Sequence, residues 1–433
     1  MTLSQASLVF PITAPAALLP ERVGPKAANL AALGRAGLPI PEGFCIEADA
    51  YWIQLAALGL DLTIPRGRDD VDVMRARRQA IAVRLALSAR PIVNQILEPL
   101  LGAWQLLRES TGGVPLAVRS SSLVEDRHGS SCAGQFESYL GLDSQADFLT
   151  AVRACWASLW SPRMLRYLQG QGASPADTAM AVLVQPLIDA RASGGGLSRT
   201  AAGSMLLSAT SGLGSAIAQG EVVPDRYDVA RDGTLIGVTA GSGRHAAGCH
   251  QHSADAVSPP GGRDLRSPCL SVERVQELAG YLAGAERIMG RAVEIEWALD
   301  ATGFKLLQSR PLSLQQGAAP DPAWSQHPRA RGQPAGVGWG TGRACVVTCE
   351  CELSRVGPGD VLITRIAGPA LGRILARVAG VVTELGGSTS HLASLARERG
   401  IPMVLGVRDA TQRIPDGRQV AVDGVAGVVR WIN

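Results

Sequence analysis

Apolar residues recur at three- and four-residue spacing over positions 71–87, 148–159 and 272–289, and this period predicts three amphipathic helices. Elsewhere the apolar positions come in short blocks. Leu116-Ala117-Val118 runs into a polar loop, residues 180–184 stop at Gln185-Pro186, and residues 378–382 form an aliphatic run, so each predicts a short strand. The segment Val293-Glu294-Ile295-Glu296-Trp297-Ala298-Leu299 alternates instead, which puts Val, Ile, Trp and Leu on one face and Glu294 and Glu296 on the other. A second strand over 304–311 places Gln308 and Arg310 on one face. Joined by a three-residue loop, Ala301-Thr302-Gly303 with Gly303 left-handed, the two strands would pair Glu296 with Gln308. Helices and strands alternate along the chain, which predicts a mixed α/β (α+β) fold.

The pattern breaks between residues 315 and 336, where Pro320, Pro322, Pro328 and Pro334 alternate with Gly, Ala and polar residues; a linker is expected over 315–334. Residues 241–268, rich in Gly, Ser, Pro and His, read as a mobile loop. A chain of 433 residues exceeds what one core usually organises, so two or three domains are expected. With aromatics at 4% and 50 glycines, those cores must be aliphatic and the backbone rich in turns.

The formal charge is +3, and acidic and basic residues are interspersed, which marks neither a nucleic-acid partner nor a membrane patch. Eight cysteines follow no regular framework, no basic segment precedes an apolar run at the start, and only Ala14-Pro15-Ala16 imitates a cleavage site. No apolar run approaches the roughly 18 residues that cross a bilayer, so a cytoplasmic protein is expected. Two soft-ligand clusters, Cys345 with Cys349 and Cys351, and His245 with Cys249, His250 and His252, match no finger or ribbon spacing.

The most informative word follows the aliphatic run at 378–382. Thr383-Glu384-Leu385-Gly386-Gly387-Ser388-Thr389-Ser390-His391 leads into a helix in which Leu392, Leu395 and Ala396 face inward. Ser388 or Ser390 can cap the exposed N–H groups, Gly400 and Pro402 supply the stop, and Arg397 and Arg399 suit the negative end. A histidine at that helix start is held neutral by the partial positive charge beside it, next to N–H groups that can receive an anion. His391 is therefore a candidate nucleophile at a phosphate site.

The segment from Gly386 to Gly406 closely resembles the phosphohistidine motif of the phosphoenolpyruvate synthase and pyruvate phosphate dikinase family, with Leu392 where the family usually has Ala. Further words resemble the same family. Val23-Gly24-Pro25-Lys26-Ala27-Ala28-Asn29-Leu30 resembles the opening of its ATP-grasp domain, with Pro25 replacing a Gly. Val118-Arg119-Ser120-Ser121-Ser122 and Ala133-Gly134-Gln135-Phe136 resemble its Arg-Ser-Ser and Ala-Gly-Gln words. Gln185-Pro186-Leu187-Ile188 sits where its adenine-contacting hinge lies. Glu296-Trp297-Ala298 and Gln308-Ser309-Arg310-Pro311 resemble words that carry metal and phosphate contacts, and the family typically has Asp where Glu294 stands. Residues 192–199 match poorly, and Ser215 replaces a usual Glu. No Gly-x-x-x-x-Gly-Lys-Ser/Thr word occurs.

The resemblance implies an ATP-grasp region, first lobe 1–200 and second lobe 201–314, joined by the linker 315–334 to a small swivelling phosphohistidine α/β domain, 335–433. It implies His391, Arg119, Arg310 and Thr389 as catalytic residues. Lys26, Arg119, Ser120, Gly134, Gln135, Gln185, Leu187, Glu296, Gln308 and Arg310 are the implied nucleotide contacts, with Glu296, Gln308 and Glu294 toward Mg²⁺. The expected reaction splits ATP to AMP and phosphate and passes a phosphoryl group to a small-molecule acceptor. The alternatives are a phosphocarrier subunit, whose acceptor site lies on a separate protein, and an ATP-grasp ligase without a covalent enzyme intermediate.

Overall fold

The computed structural model describes residues 7–65, 70–124, 138–170, 172–241, 268–312 and 329–432. Two compact units are present, residues 1–188 with 306–310, and residues 189–305 with 311–433.

In the first unit the order is β1 (Val9–Pro11), α1 (Pro20–Arg35), β2 (Phe44–Ile46), α2 (Ala48–Ala57), α3 (Asp70–Ala89), α4 (Asn94–Ser110), β3 (Leu116–Ser122), β4 (Ser138–Leu142), α5 (Gln145–Ser158), α6 (Pro162–Gly170) and β5 (Met180–Pro186). The strands form one antiparallel sheet in the order β1-β2-β5-β3-β4. β5 occupies the centre because Met180 to Val184 are apolar on both faces, and all five are fully buried. Helix α3 turns Ala76, Ala80, Val83 and Leu87 to the core, the four-three-four spacing of a single helical face. α5 contributes Phe148, Val152, Cys155 and Trp156 to the same core. Each large side chain buried there stabilises the unit by about 1.5–3 kcal/mol.

The second unit contains β6 (Ala192–Leu197), β7 (Met205–Ser211), α7 (Ser215–Ala218), β8 (Asp225–Val229), β9 (Leu235–Thr239), α8 (Val272–Met289), β10 (Val293–Asp300) and the start of β11 (Gly303–Pro311). Strands β10-β6-β7-β8-β9 pair antiparallel in that order. α8 spans the residues its period predicts, capped by the Ser271 side chain at one end and by left-handed Gly290 (φ 65°) at the other. The turn between β10 and β11 holds Ala301 and Thr302 alone, two residues rather than the expected three. Asp300 Oδ1 causes this by accepting from the N–H groups of Thr302 (2.6 Å) and Gly303 (3.1 Å), so Gly303 (φ 125°) already belongs to β11.

A third sheet follows, built from β12 (Ala330–Arg331), β13 (Gln333–Pro334), β14 (Trp339–Val347), β15 (Val361–Thr364), β16 (Gly380–Thr383), α9 (His391–Glu398), β17 (Met403–Leu405), α10 (Ala410–Arg413), β18 (Gln419–Asp423) and β19 (Val428–Trp431). Its order is β12-β19-β18-β14-β15-β16-β17-β13. β14 to β17 run parallel, and their short aliphatic runs are buried, as strands covered on both faces require. α9 is the crossover between β16 and β17.

Two boundaries differ from the expectation. The first unit ends at Ile188, because residues 192–197 form β6 of the second sheet, and residues 330–334 of the expected linker pair with β19 and β17. The loop at 242–267 and the linker segment 313–328 lie outside the described residues. Among the described residues no single helix is long and apolar enough to cross a membrane.

Candidate active site

In the first unit, α1 is broken at Gly24 (φ 75°, ψ 157°). A Cβ there would lie 2.4 Å from the Ser121 carbonyl oxygen, so glycine alone lets the chain touch β3 at this point. Pro25 restarts the helix where its missing N–H is not needed. Lys26 follows, 7% exposed, with Nζ donating to the Ser120 carbonyl at 2.7 Å, while Ala27 N–H donates to Ser121 Oγ.

The next element of the cluster comes from far along the chain. Arg119 donates through Nη1 to the Leu307 carbonyl (2.5 Å) and through Nη2 to Gln308 Oε1 (3.0 Å). Asn29 Nδ2 holds the Ser309 carbonyl, and Leu306 N–H donates to Pro39 O. Segment 306–310 is thereby pinned to both α1 and β3, and Arg310 is buried within it. Gln185 is buried at the end of β5, opposite Ala117 in the register, with Nε2 on the Pro41 carbonyl; Leu187 N–H donates to Pro115 O. Lys26, Arg119, Ser120 and Gln308 are thus joined by direct contacts or by adjacency in β3. Gly134 and Gln135 lie outside the described residues.

In the second unit, His391 opens α9, and Ser390 is the cap, its Oγ accepting from Ala393 N–H (3.3 Å). At the other end, left-handed Gly400 (φ 66°) lets Ile401 N–H reach the Ala396 carbonyl. The loop before His391 rests on the second sheet. Thr389 Oγ1 and Ser208 Oγ of β7 are 2.5 Å apart, and Gly386 N–H donates to Val222 O. Gly195 of β6 lies beneath Thr389 so closely that a Cβ at 195 would come within 2.6 Å of the threonine side chain.

Arg397, near the C-terminal end of α9, reaches the loop before His391 and β10 of the second sheet. Its Nη1 donates to Ser388 O (2.5 Å) and Ala335 O (3.2 Å), and its Nη2 to Ser394 Oγ (3.0 Å) and Glu294 Oε2 (3.1 Å). Ser394 Oγ lies 3.0 and 2.9 Å from the two Glu294 oxygens. Glu294, expected as a metal ligand on a face shared with Glu296, therefore faces a guanidinium and a hydroxyl. Glu296 is half-buried two residues along β10, opposite Gly195 in the register. Of the two soft-ligand clusters, the histidine one lies outside the described residues, and Cys345, Cys349 and Cys351 do not form a metal-holding group; none of three or more His, Cys, Asp or Glu exists among the described residues.

Sequence reasoning missed Ser208, Gly195 and Ser394. The poorly matching stretch at 192–199 held the signal: Gly194-Gly195-Gly196 is a strand without side chains where the Ser208 backbone and Thr389 press against it.

The family model for the AMP/ATP-binding domain of pyruvate phosphate dikinase matches residues 20–330, and that for the mobile domain of PEP-utilising enzymes matches 356–427. The phosphoenolpyruvate synthase of Aeropyrum pernix is 30% identical over 461 residues, covering 94% of this chain and 56% of that protein. The phosphoenolpyruvate synthase of Escherichia coli is 31% identical over 443 residues, covering 95% and 56%. An NMR solution structure of Enzyme I is similar over 18% of this chain and 33% of its own, with 36% identity and a TM-score of 0.17, a likeness too small to bear on the fold. The chain spans 56% of the length of the two synthases. With both family models matched in order, and the first over more than half of its length, the chain belongs to the phosphoenolpyruvate synthase and pyruvate phosphate dikinase family.

Proposed function

We propose that this chain is an ATP-dependent phosphotransferase that loads one phosphoryl group onto His391 and passes it to a small-molecule acceptor. The observation that carries the reading is His391 itself, the first residue of a Ser-capped helix on a crossover of the third sheet, with its loop seated on the ATP-binding domain's second sheet. In this reading the imidazole, neutral at the helix start, attacks the β-phosphorus of ATP and AMP leaves. Water then releases the terminal phosphate, so that ATP, water and histidine give AMP, phosphate and phosphohistidine. Lys26, Arg119, Ser120 and Arg310 hold the phosphates and offset the charge that develops on them, with Thr389 beside the reacting imidazole and Gln185 and Leu187 toward the base.

The donor set suits Mg²⁺: Glu296 and Gln308 offer hard oxygen atoms, and one or two such ligands together with nucleotide phosphates is the usual Mg²⁺ arrangement. When bound, the ion would neutralise phosphate charge.

The test is incubation with ATP labelled at the β-phosphate and Mg²⁺. The reading expects acid-labile label on the wild-type protein and none on His391→Ala; label retained by that variant would remove the shuttle. A second reading is a phosphocarrier whose acceptor site lies on a separate protein. If small-molecule fractions discharge the labelled protein without added protein, that second reading fails.

A further inference from the structure

Glu294, Ser394 and Arg397 have no role in the reaction just described, yet they form a buried ion pair whose two side chains are each 6% exposed. The partners divide unevenly. The carbonyls of Ser388 and Ala335 and the Ser394 hydroxyl lie in the third sheet's module together with Arg397, so any displacement of that module carries them along. Glu294 belongs to β10 of the second sheet and would stay behind. Ser394 stands three residues after His391, one turn along the same helix face, so a clamp on Ser394 and Arg397 fixes where the imidazole starts.

The rest of the seat agrees. Thr389 meets Ser208 across the same two sheets, Gly195 leaves the space Thr389 occupies, and a Cβ at Gly387 would come within 2.4 Å of Pro224. Length matters too, because an Asp in place of Glu294 would be one methylene shorter, and that bond of about 1.5 Å would draw its oxygens back from hydrogen-bonding distance of Ser394 and Arg397.

We propose that Glu294 is a positioning residue that latches the phosphohistidine module onto the ATP-binding domain's second sheet through Ser394 and Arg397, seating His391 for the nucleotide half of the reaction, and that it is not a metal ligand. The proposal rests on the phosphohistidine reading. The latch is selective for one docked state: burial makes its geometry exacting, since an unpaired charge left in that position is costly.

The experiment uses the full chain carrying Ser208→Cys and Thr389→Cys, whose sulfurs oxidised glutathione can join only while the module is seated. Disulfide yield, mapped to that peptide pair by mass spectrometry, reports seating without ATP. In this background Glu294→Asp is expected to slow cross-linking at least tenfold. In the otherwise wild-type chain the same substitution is expected to slow phosphohistidine formation at least tenfold, with the Mg²⁺ concentration for half-maximal labelling unchanged. Gly195→Ala, which adds only a methyl beneath Thr389, is expected to slow labelling in the same way while leaving Glu294 itself unaltered. Cross-linking of Glu294→Asp at the parental rate overturns the proposal, as does a raised Mg²⁺ requirement with unaltered cross-linking, which would make Glu294 a metal ligand. If the wild type never labels, the phosphohistidine reading fails while the cross-linking arm still decides whether the latch exists.

Discussion

Replacing Gly24 by Ala tests how the first unit positions Lys26. The residue adopts φ 75° and ψ 157°, a region that is essentially glycine-only and costs other residues about 1–3 kcal/mol. The added methyl would lie 2.4 Å from Ser121 O and 2.5 Å from its Oγ, and relieving an overlap with backbone in a packed region costs a further 1–3 kcal/mol or so. The sum, about 2–6 kcal/mol, is a large share of the roughly 5–15 kcal/mol that holds a domain folded. Gly59 is the control. It also has positive φ, 63°, but an added Cβ there meets nothing within 4 Å, so Gly59→Ala should cost only the backbone penalty of about 1–2 kcal/mol. Urea unfolding of both variants, with ATP-analogue binding measured on the folded protein, separates the two effects. The Gly24 variant is expected to unfold at a clearly lower midpoint and to bind the analogue about tenfold or more weakly, because Lys26 is pushed from its place against β3. Equal midpoints for the two variants would refute the close-approach argument.

Two further outcomes follow from buried polar groups. Burial works to raise the Glu286 carboxyl, but hydrogen bonds from Arg199 and Arg231 outweigh it and hold the pKa below the usual carboxylate value. A lowered folded pKa contributes stability that is present above the unfolded value and lost as pH falls through the folded one; Glu286→Gln should therefore lower stability at pH 7 and flatten its decline below about pH 4, and an acid profile as steep as the wild type's would contradict this. Tyr51 accepts the Trp160 indole N–H at 2.8 Å in a fully buried site, so Tyr51→Phe leaves that donor unsatisfied and should cost about 1–3 kcal/mol in urea unfolding, against a near-zero change if the contact contributes nothing.

The elements were largely legible in the sequence because their signals are local. The three helical periods, the alternation of β10 and the Ser-His helix start each need only neighbours in the chain, and α8 coincides with its predicted span. The site was legible in kind rather than in arrangement. Asn29 meets Ser309 across 280 positions and Arg397 meets Glu294 across 103, and no periodicity encodes such pairs. Alternation correctly placed Glu294 and Glu296 on one face of β10, but it could not tell that a helix with an arginine would cover one of them. The glycines of β6 concealed a strand for a related reason: close contact with Ser208 and Thr389 excludes the β-branched side chains by which strands are recognised. The β10–β11 turn was misread by one residue because the Asp300 side chain, rather than glycine geometry, closes it.

The central claim is a covalent bond at one imidazole. Wild-type protein incubated with Mg²⁺ and ATP, kept alkaline and digested, should yield the peptide containing His391 heavier by one phosphoryl group, and fragmentation should place that mass on the ring. A peptide that stays unmodified while ATP is consumed, or a phosphoryl group found on another residue, would contradict the account.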